Sequence, residues 1–295
     1  MSLARIAALC TALVLSIANA AAEVRVRDDS GKEVVLAAPA RRIVSLAPHI
    51  TETLFAAGAG HLVVGTVSHS DYPEAARSVP LVGDYTLLDL ERIVSLRPDL
   101  IVVWLDGNSE RHVEKVKKLG VPVYYDRPGR LGEIPSSLVR LGRLAGTAAR
   151  AQAAAREFTA RQRRIEARNA GKPEVRVFFQ VWPRPLLTVN GTHIISDVIR
   201  LCGGRNVFAE AKALVPTLDV EAVLAAEPEI ALRTGAEGDA DAFELWRRLP
   251  HFRPTAAGNL VMLPTDALSR HSPRILDGAD MLCTALDAVR ARRRT

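Results

Sequence analysis

The sequence predicts an α/β protein of two β/α lobes with mostly parallel sheets, joined by one long rigid helix. Three observations predict it. Strand-like apolar runs alternate with helix-like periods along both halves of the 295-residue chain. Between the halves, residues 147–169 read TAARAQAAAREFTARQRRIEARN, rich in Ala, Arg and Gln and free of Gly and Pro. One clause is also written twice: LDLERIVSLRPDLIVVW at 88–104 returns as LDVEAVLAAEPEIALRT at 218–234. Asp89/Asp219, Glu91/Glu221 and Pro98/Pro228 carry the match, about 130 residues apart. That spacing is too wide for a solenoid repeat and fits duplicated half-molecules.

The elements follow in order. Residues 23–47 open with a short hairpin turning at Ser30-Gly31, then a buried strand over 42–46. Thr51 starts an apolar-periodic helix that Gly58 and Gly60 end. HLVVGTVS is a strand, and residues 71–85, punctuated by two prolines, are loop. Asp89 caps a helix that stops before Pro98, and DLIVVW is the next strand. A helix over 110–119, the strand PVYYD and a helix over 134–144 complete the first lobe. After the long helix the alternation restarts: VRVFFQVW as strand, IISDVIRLCGG as helix, the second clause, a helix near 243–248, NLVMLP as strand and a last helix over 273–290. Runs such as IVV and VFF suit strands covered on both faces. The divisions expected are an export signal at 1–22, a first lobe at 23–146, the linking helix at 147–170 and a second lobe at 171–295. A single rigid helix permits only small closure, and a ligand of such a protein binds in the cleft between the lobes, at the strand C-terminal ends.

Composition narrows the function. Hydrophobic content of 48% with 24% charged residues is that of a soluble globular protein. The net charge of +6 comes from scattered arginines and an ARARRRT tail, without an aromatic-interleaved basic stripe, so nucleic-acid binding is not expected. Arg5, the apolar run 6–17 and Ala18-Asn19-Ala20 read as a secretory signal peptide cut after Ala20 or Ala22. Cys10 lies inside that run behind Leu9, which disfavours a lipid anchor. No later stretch is apolar enough to cross a bilayer. Cleavage leaves Cys202 and Cys283, either two buried thiols or a bridge formed in an oxidising compartment.

Catalytic readings fare poorly. Gly58, Gly60 and Gly65 do not fit a dinucleotide fingerprint and follow a helix instead of a strand. SHSDYP brings Ser68, His69 and Asp71 together, but adjacent residues point different ways and triad members come from separate elements. The seven histidines form no paired metal-ligand spacing; His49, His69, His193 and His271 fall at loops or helix starts, where a metal site assembled in space is the lesser alternative to solvent exposure or ligand contact. Glu91 and Glu221 fall in the first turns of equivalent helices. The helix dipole favours a carboxylate there, which is the local explanation. Duplication adds a second: two carboxylates on one face of a pseudo-symmetric molecule could engage two basic patches on a two-fold partner.

RRIVSLAPHITETLFAAGAG, SHSDYP, LDLERIVSLRPDLIVVW followed by GN, LCGGRNVF and RHSPRI together resemble the helical-backbone periplasmic binding proteins of ABC importers. Within them, SDYP with LERIV-x-L-x-PDL and GN is similar to the cobalamin-binding branch, and the resemblance runs from about residue 41 to 288. It implies a non-enzymatic, monomeric periplasmic protein that captures cobalamin or a related corrinoid and delivers it to a dimeric ABC permease with its ATPase subunits. It holds no catalytic cofactor and no metal of its own, and does not insert in the membrane. Haem or a ferric siderophore is the alternative cargo. Carried over, the resemblance makes His69, Asp266, Arg270 and Trp104 ligand contacts, with Tyr85 where the family has a tryptophan and Trp182 as a further aromatic wall. Val215 stands where the family has another tryptophan. Glu91 and Glu221 match the glutamates that dock on permease arginines, and Cys202 and Cys283 match the family's disulfide.

Overall fold

The computed structural model describes residues 23–84, 86–235 and 243–293. The expected signal peptide and Tyr85 therefore lie outside the described residues. Two four-stranded sheets, all parallel, carry the molecule. The first holds β3 (Ile43–Ser45), β4 (Val63–Gly65), β5 (Leu100–Trp104) and β6 (Val123–Asp126) in the order β4-β3-β5-β6. The second holds β7 (Val175–Phe179), β10 (Gly204–Asn206), β11 (Ile230–Gly235) and β12 (Leu260–Pro264) in the order β10-β7-β11-β12. The two orders are the same order. Two small hairpins flank them, β1 (Val24–Arg27) with β2 (Glu33–Leu36), and β8 (Trp182–Pro183) with β9 (Leu186–Leu187).

Helices cover both sheets. The first lobe has α1 (Pro48–Ala56), α2 (Leu90–Ser95), α3 (Glu110–Lys117) and α4 (Ile134–Leu144). Then α5 (Ala148–Asn169) runs 22 residues. The second lobe has α6 (Ile194–Leu201), α7 (Val220–Ala225), α8 (Glu244–Arg247), α9 (Arg253–Ala256), α10 (Asp266–Ser269) and α11 (Ile275–Arg292). Each sheet is sandwiched by apolar clusters: Ile43, Leu100 and Val102 face one side of the first sheet while Val44, Ile101 and Val103 face the other. This double coverage is why the strands read as unbroken apolar runs. The fold class is the one the sequence predicts.

The duplicated clause folds twice into the same machine. The Asp89 side chain accepts from Arg92 N, and Asp219 accepts from Ala222 N, each capping its helix. The acid after the proline does a second job: Asp99 accepts from the backbone of Arg41 and Arg42, and Glu229 accepts from the backbone of Arg176. Those arginines then reach back to the helix ends, Arg42 to the Leu96 carbonyl at 2.8 Å and Arg176 to the Ala226 carbonyl at 2.5 Å. Even the backbone repeats, with Arg97 and Glu227 in the left-handed region at φ 45° and 41°.

Some boundaries differ from the sequence reading. Helix α1 starts at Pro48, not Thr51, because a proline suits the first helical turn, where its missing N–H is no loss. Thr51 does not cap; its buried hydroxyl bonds Ser45 Oγ at 2.9 Å and Thr66 Oγ1 at 2.7 Å. Residues 74–78 form a short 3₁₀ turn inside the expected loop, and strand β10 has no signal in the sequence beyond the Gly203-Gly204 pair at its start.

The seam is bonded as well as bridged. Arg130 of the first lobe makes a two-pronged ion pair with Asp197 of α6, at 2.7 and 2.6 Å. Glu52 of α1, buried, accepts from Ser272 and from Arg274 at 2.6 Å. Helix α5 is tied to α11 by Arg161, which pairs with Asp277 at 2.6 Å and Asp280 at 2.8 Å. Cys202 and Cys283 form a disulfide between α6's C-terminus and α11, closing an 81-residue separation.

Candidate functional site

Strand C-termini from both lobes meet at the seam. Strand β5 ends at Trp104, and the turn after it is shaped by two residues. Asn108 accepts from Trp104 N at 2.7 Å and donates to the Leu46 carbonyl at 2.9 Å. Gly107 lies so close to the indole that a Cβ there would come within 1.8 Å of it, so only glycine lets the ring settle. On the other lobe, β12 runs into α10, which presents Asp266 and, at its end, Arg270, paired to each other at 2.8 Å.

Between them lies a cavity of about 560 Å³, within the usual range for a small-molecule site. Its first-lobe wall is Leu46, Ala47, Pro48, Val67, Ser68, His69, Asp71, Asp84, Trp104, Gly107 and Asn108; the second lobe adds Thr265, Asp266, Ser269 and Arg270. Four of the six expected ligand contacts, His69, Trp104, Asp266 and Arg270, converge here. His69 is exposed and held in the left-handed region at φ 65°, uncommon for a residue with a side chain. Arg270 reaches across the seam to the His69 carbonyl at 3.4 Å. Trp182 is not among the cavity's lining residues; it stands 56% exposed on the small β8–β9 hairpin. Val215 is exposed on the surface of the second lobe.

Chemically, the cavity offers an apolar wall around Trp104 and a polar rim that mixes carboxylates, one guanidinium, hydroxyls and an amide. That suits a large ligand with apolar faces and hydrogen-bonding arms. The sequence reading missed Ser68, Asp71 and Asp84 as cavity residues, although SDYP had marked the loop. It also missed Glu52 and Arg274, which brace the rim from beneath; Arg274 further lies 3.7 Å from Asp266 and 4.3 Å from the Tyr72 ring centroid. Burial raises the Glu52 pKa, against the lowering influence of Ser272 and Arg274.

Beneath Trp104 the seam holds three histidines. His49 meets the indole edge-on at 5.1 Å, and His271 lies 6.0 Å from His49 and 5.8 Å from His193. Burial lowers all three pKa values, to about 4 for His193 and His271, and His49 well below its ordinary value. They are neutral at pH 7. Among the described residues, no group of three or more His, Cys, Asp or Glu is arranged to hold a metal ion.

Glu91 and Glu221 are both exposed in the first turns of α2 and α7.

Two lobes of identical strand order, a bridging helix and a seam cavity define a ligand-capturing protein of the bilobal type. The chain belongs to the periplasmic binding protein family, which it matches over residues 43–266. It is 34% identical over 256 residues to a vitamin B12-binding protein of Vibrio parahaemolyticus, covering 86% of this chain and 92% of that one. Among solved structures, the periplasmic vitamin B12 binding protein BtuF of Vibrio cholerae matches with a TM-score of 0.75 at 31% identity, over 85% of this chain and 98% of that one. A periplasmic heme binding protein from Pseudomonas aeruginosa matches with a TM-score of 0.74 at 26% identity, over 83% and 92%.

Proposed function

We propose that the protein captures cobalamin, or a related corrinoid, in the seam cavity and delivers it to an inner-membrane ABC importer, without covalent chemistry. The observation that carries this reading is the convergence of Trp104, His69, Asp266 and Arg270 from two lobes on one cavity. Trp104 would pack on the ring system, while Asp266 and Arg270 would bond its polar edge. Vitamin B12 binding by relatives that align along nearly their whole length supports the choice of ligand. Export by the N-terminal signal places the protein in the periplasm in this reading, where the Cys202–Cys283 bridge persists. Delivery uses Glu91 and Glu221, exposed in the first turns of α2 and α7, as charged contacts for a two-fold permease. No helix among the described residues is long and apolar enough to cross a membrane.

Haem is the second reading. The exposed His69 imidazole in the cavity lining favours it, since an imidazole nitrogen is a competent iron ligand. One experiment separates the two. The mature protein is mixed separately with cyanocobalamin, hemin and a ferric siderophore, desalted, and its visible spectrum recorded. Retained corrinoid absorbance is the expected result; retained Soret absorbance alone would assign haem.

A further inference from the structure

The histidines beneath the cavity are placed across the seam, not within one lobe. His49 belongs to α1 of the first lobe; His193 caps α6 and His271 precedes α11, both in the second. Trp104, the cavity's aromatic wall, rests on two of them, 5.1 Å from His49 and 6.3 Å from His271. The His271 ring also interacts with the Pro128 carbonyl of the first lobe. The column His193–His271–His49 thus joins the two lobes directly under the ligand wall.

We propose that this column makes the cleft acid-sensitive: protonation within it drives the lobes apart, frees Trp104 and weakens ligand retention. The inference rests on the seam cavity being the ligand site.

The surroundings leave an added proton without a free counter-charge. His49 faces Arg270 and His271. His193 faces His271 and Asp197, but Asp197 is already bound by Arg130 across the seam and by Arg200 on its own helix. His271 faces Asp106, which pairs with Arg127 at 3.5 Å. Glu52, one turn along α1 from His49, is occupied by Ser272 and Arg274. A first imidazolium would sit beside neutral rings and a second beside the first, in a seam that already holds Arg270 and Arg274. Opening the seam lets the rings reach water and charge freely, so the open form binds protons more tightly than the closed one. Burial lowers the three pKa values in the closed form, in agreement. His193 Nδ1 accepts from Ile195 N, so acid also competes with the cap of α6. By linkage, a ligand that closes the cleft must expel protons, to the same extent that protons weaken its binding.

The test uses cyanocobalamin as probe. Its affinity is measured by equilibrium titration from pH 7.5 to pH 4.5, for the wild type and for His271→Gln, which keeps a neutral donor in place. Wild-type affinity is expected to fall by about tenfold or more, one pKa unit's worth of linkage, and the variant's by markedly less. Parallel profiles for the two proteins would overturn the proposal. Tryptophan emission of the ligand-free protein, corrected with Trp104→Phe, gives a readout independent of ligand identity. A transition between pH 6.5 and 4 that His271→Gln removes supports the column, and its absence in the wild type would also overturn it. Failure of cyanocobalamin to bind at pH 7.5 would instead count against the corrinoid reading, leaving the emission measurement to decide on the column. Far-ultraviolet circular dichroism at both pH limits shows whether the variant is folded.

Discussion

Trp104 owes its position to neighbours with no charge: Asn108, which holds the turn by two hydrogen bonds, and Gly107, which makes room for the indole. The GN pair was visible in the sequence, and its neighbourhood explains why. A residue that must lack a side chain next to one that must bond backbone on two sides leaves a short, recognisable string. The histidine column left no such trace. His49, His193 and His271 come from three segments far apart in the chain, and only the closure of two lobes brings them together. Asp126 is also legible only in the fold, because its burial is set by packing within the first lobe. Fully buried at the end of β6, it accepts from Ser137 Oγ at 2.5 Å while its other oxygen has no partner. Burial pushes its pKa up to about 6. Raised above the unfolded value near 3.8, this carboxyl contributes stability that is fully present below about pH 4 and lost as pH rises through 6. Asp126→Asn, neutral at every pH, is therefore expected to raise the melting temperature at pH 8, by an amount on the order of 2 kcal/mol in stability, with little or no gain at pH 4. Equal shifts at both pH values would contradict the assignment.

At the scale of elements, the repeated clause was the most informative stretch in the chain. Its Leu-Asp opening predicted a capped helix and its proline a stop, and both copies fold that way. The purpose of the acid after the proline was hidden, because Asp99 and Glu229 act on backbone some fifty residues earlier, Asp99 on Arg41 and Arg42 and Glu229 on Arg176. Helix starts were less legible where tertiary contacts recruited the signalling residue, as Thr51 shows. The exposed Glu91 and Glu221 sit in the first turns without capping their helices, since Asp89 and Asp219 do. Glu91→Lys with Glu221→Lys is expected to abolish association with the detergent-solubilised importer while cyanocobalamin affinity stays unchanged. Undiminished association would remove these residues from the delivery step.

The whole molecule is two copies of one sheet order, with the long helix α5 between them in the chain. Ion pairs at Arg130–Asp197 and Glu52–Arg274 join the lobes across the seam, and α5 is clasped to α11. Such a frame suits capture of a bulky rigid ligand better than wide hinge closure. Twofold likeness was readable from the clause alone, but the content of the seam was not, because it is assembled from residues that the sequence scatters over both halves. The central claim is that ligand binding depends on both walls of this seam. Titration of cyanocobalamin against the wild type, Trp104→Ala and Arg270→Ala tests it most directly, one substitution in each lobe. The expected result is one site per chain in the wild type and a loss of about tenfold or more in affinity for each variant; wild-type affinity in either variant would contradict the account.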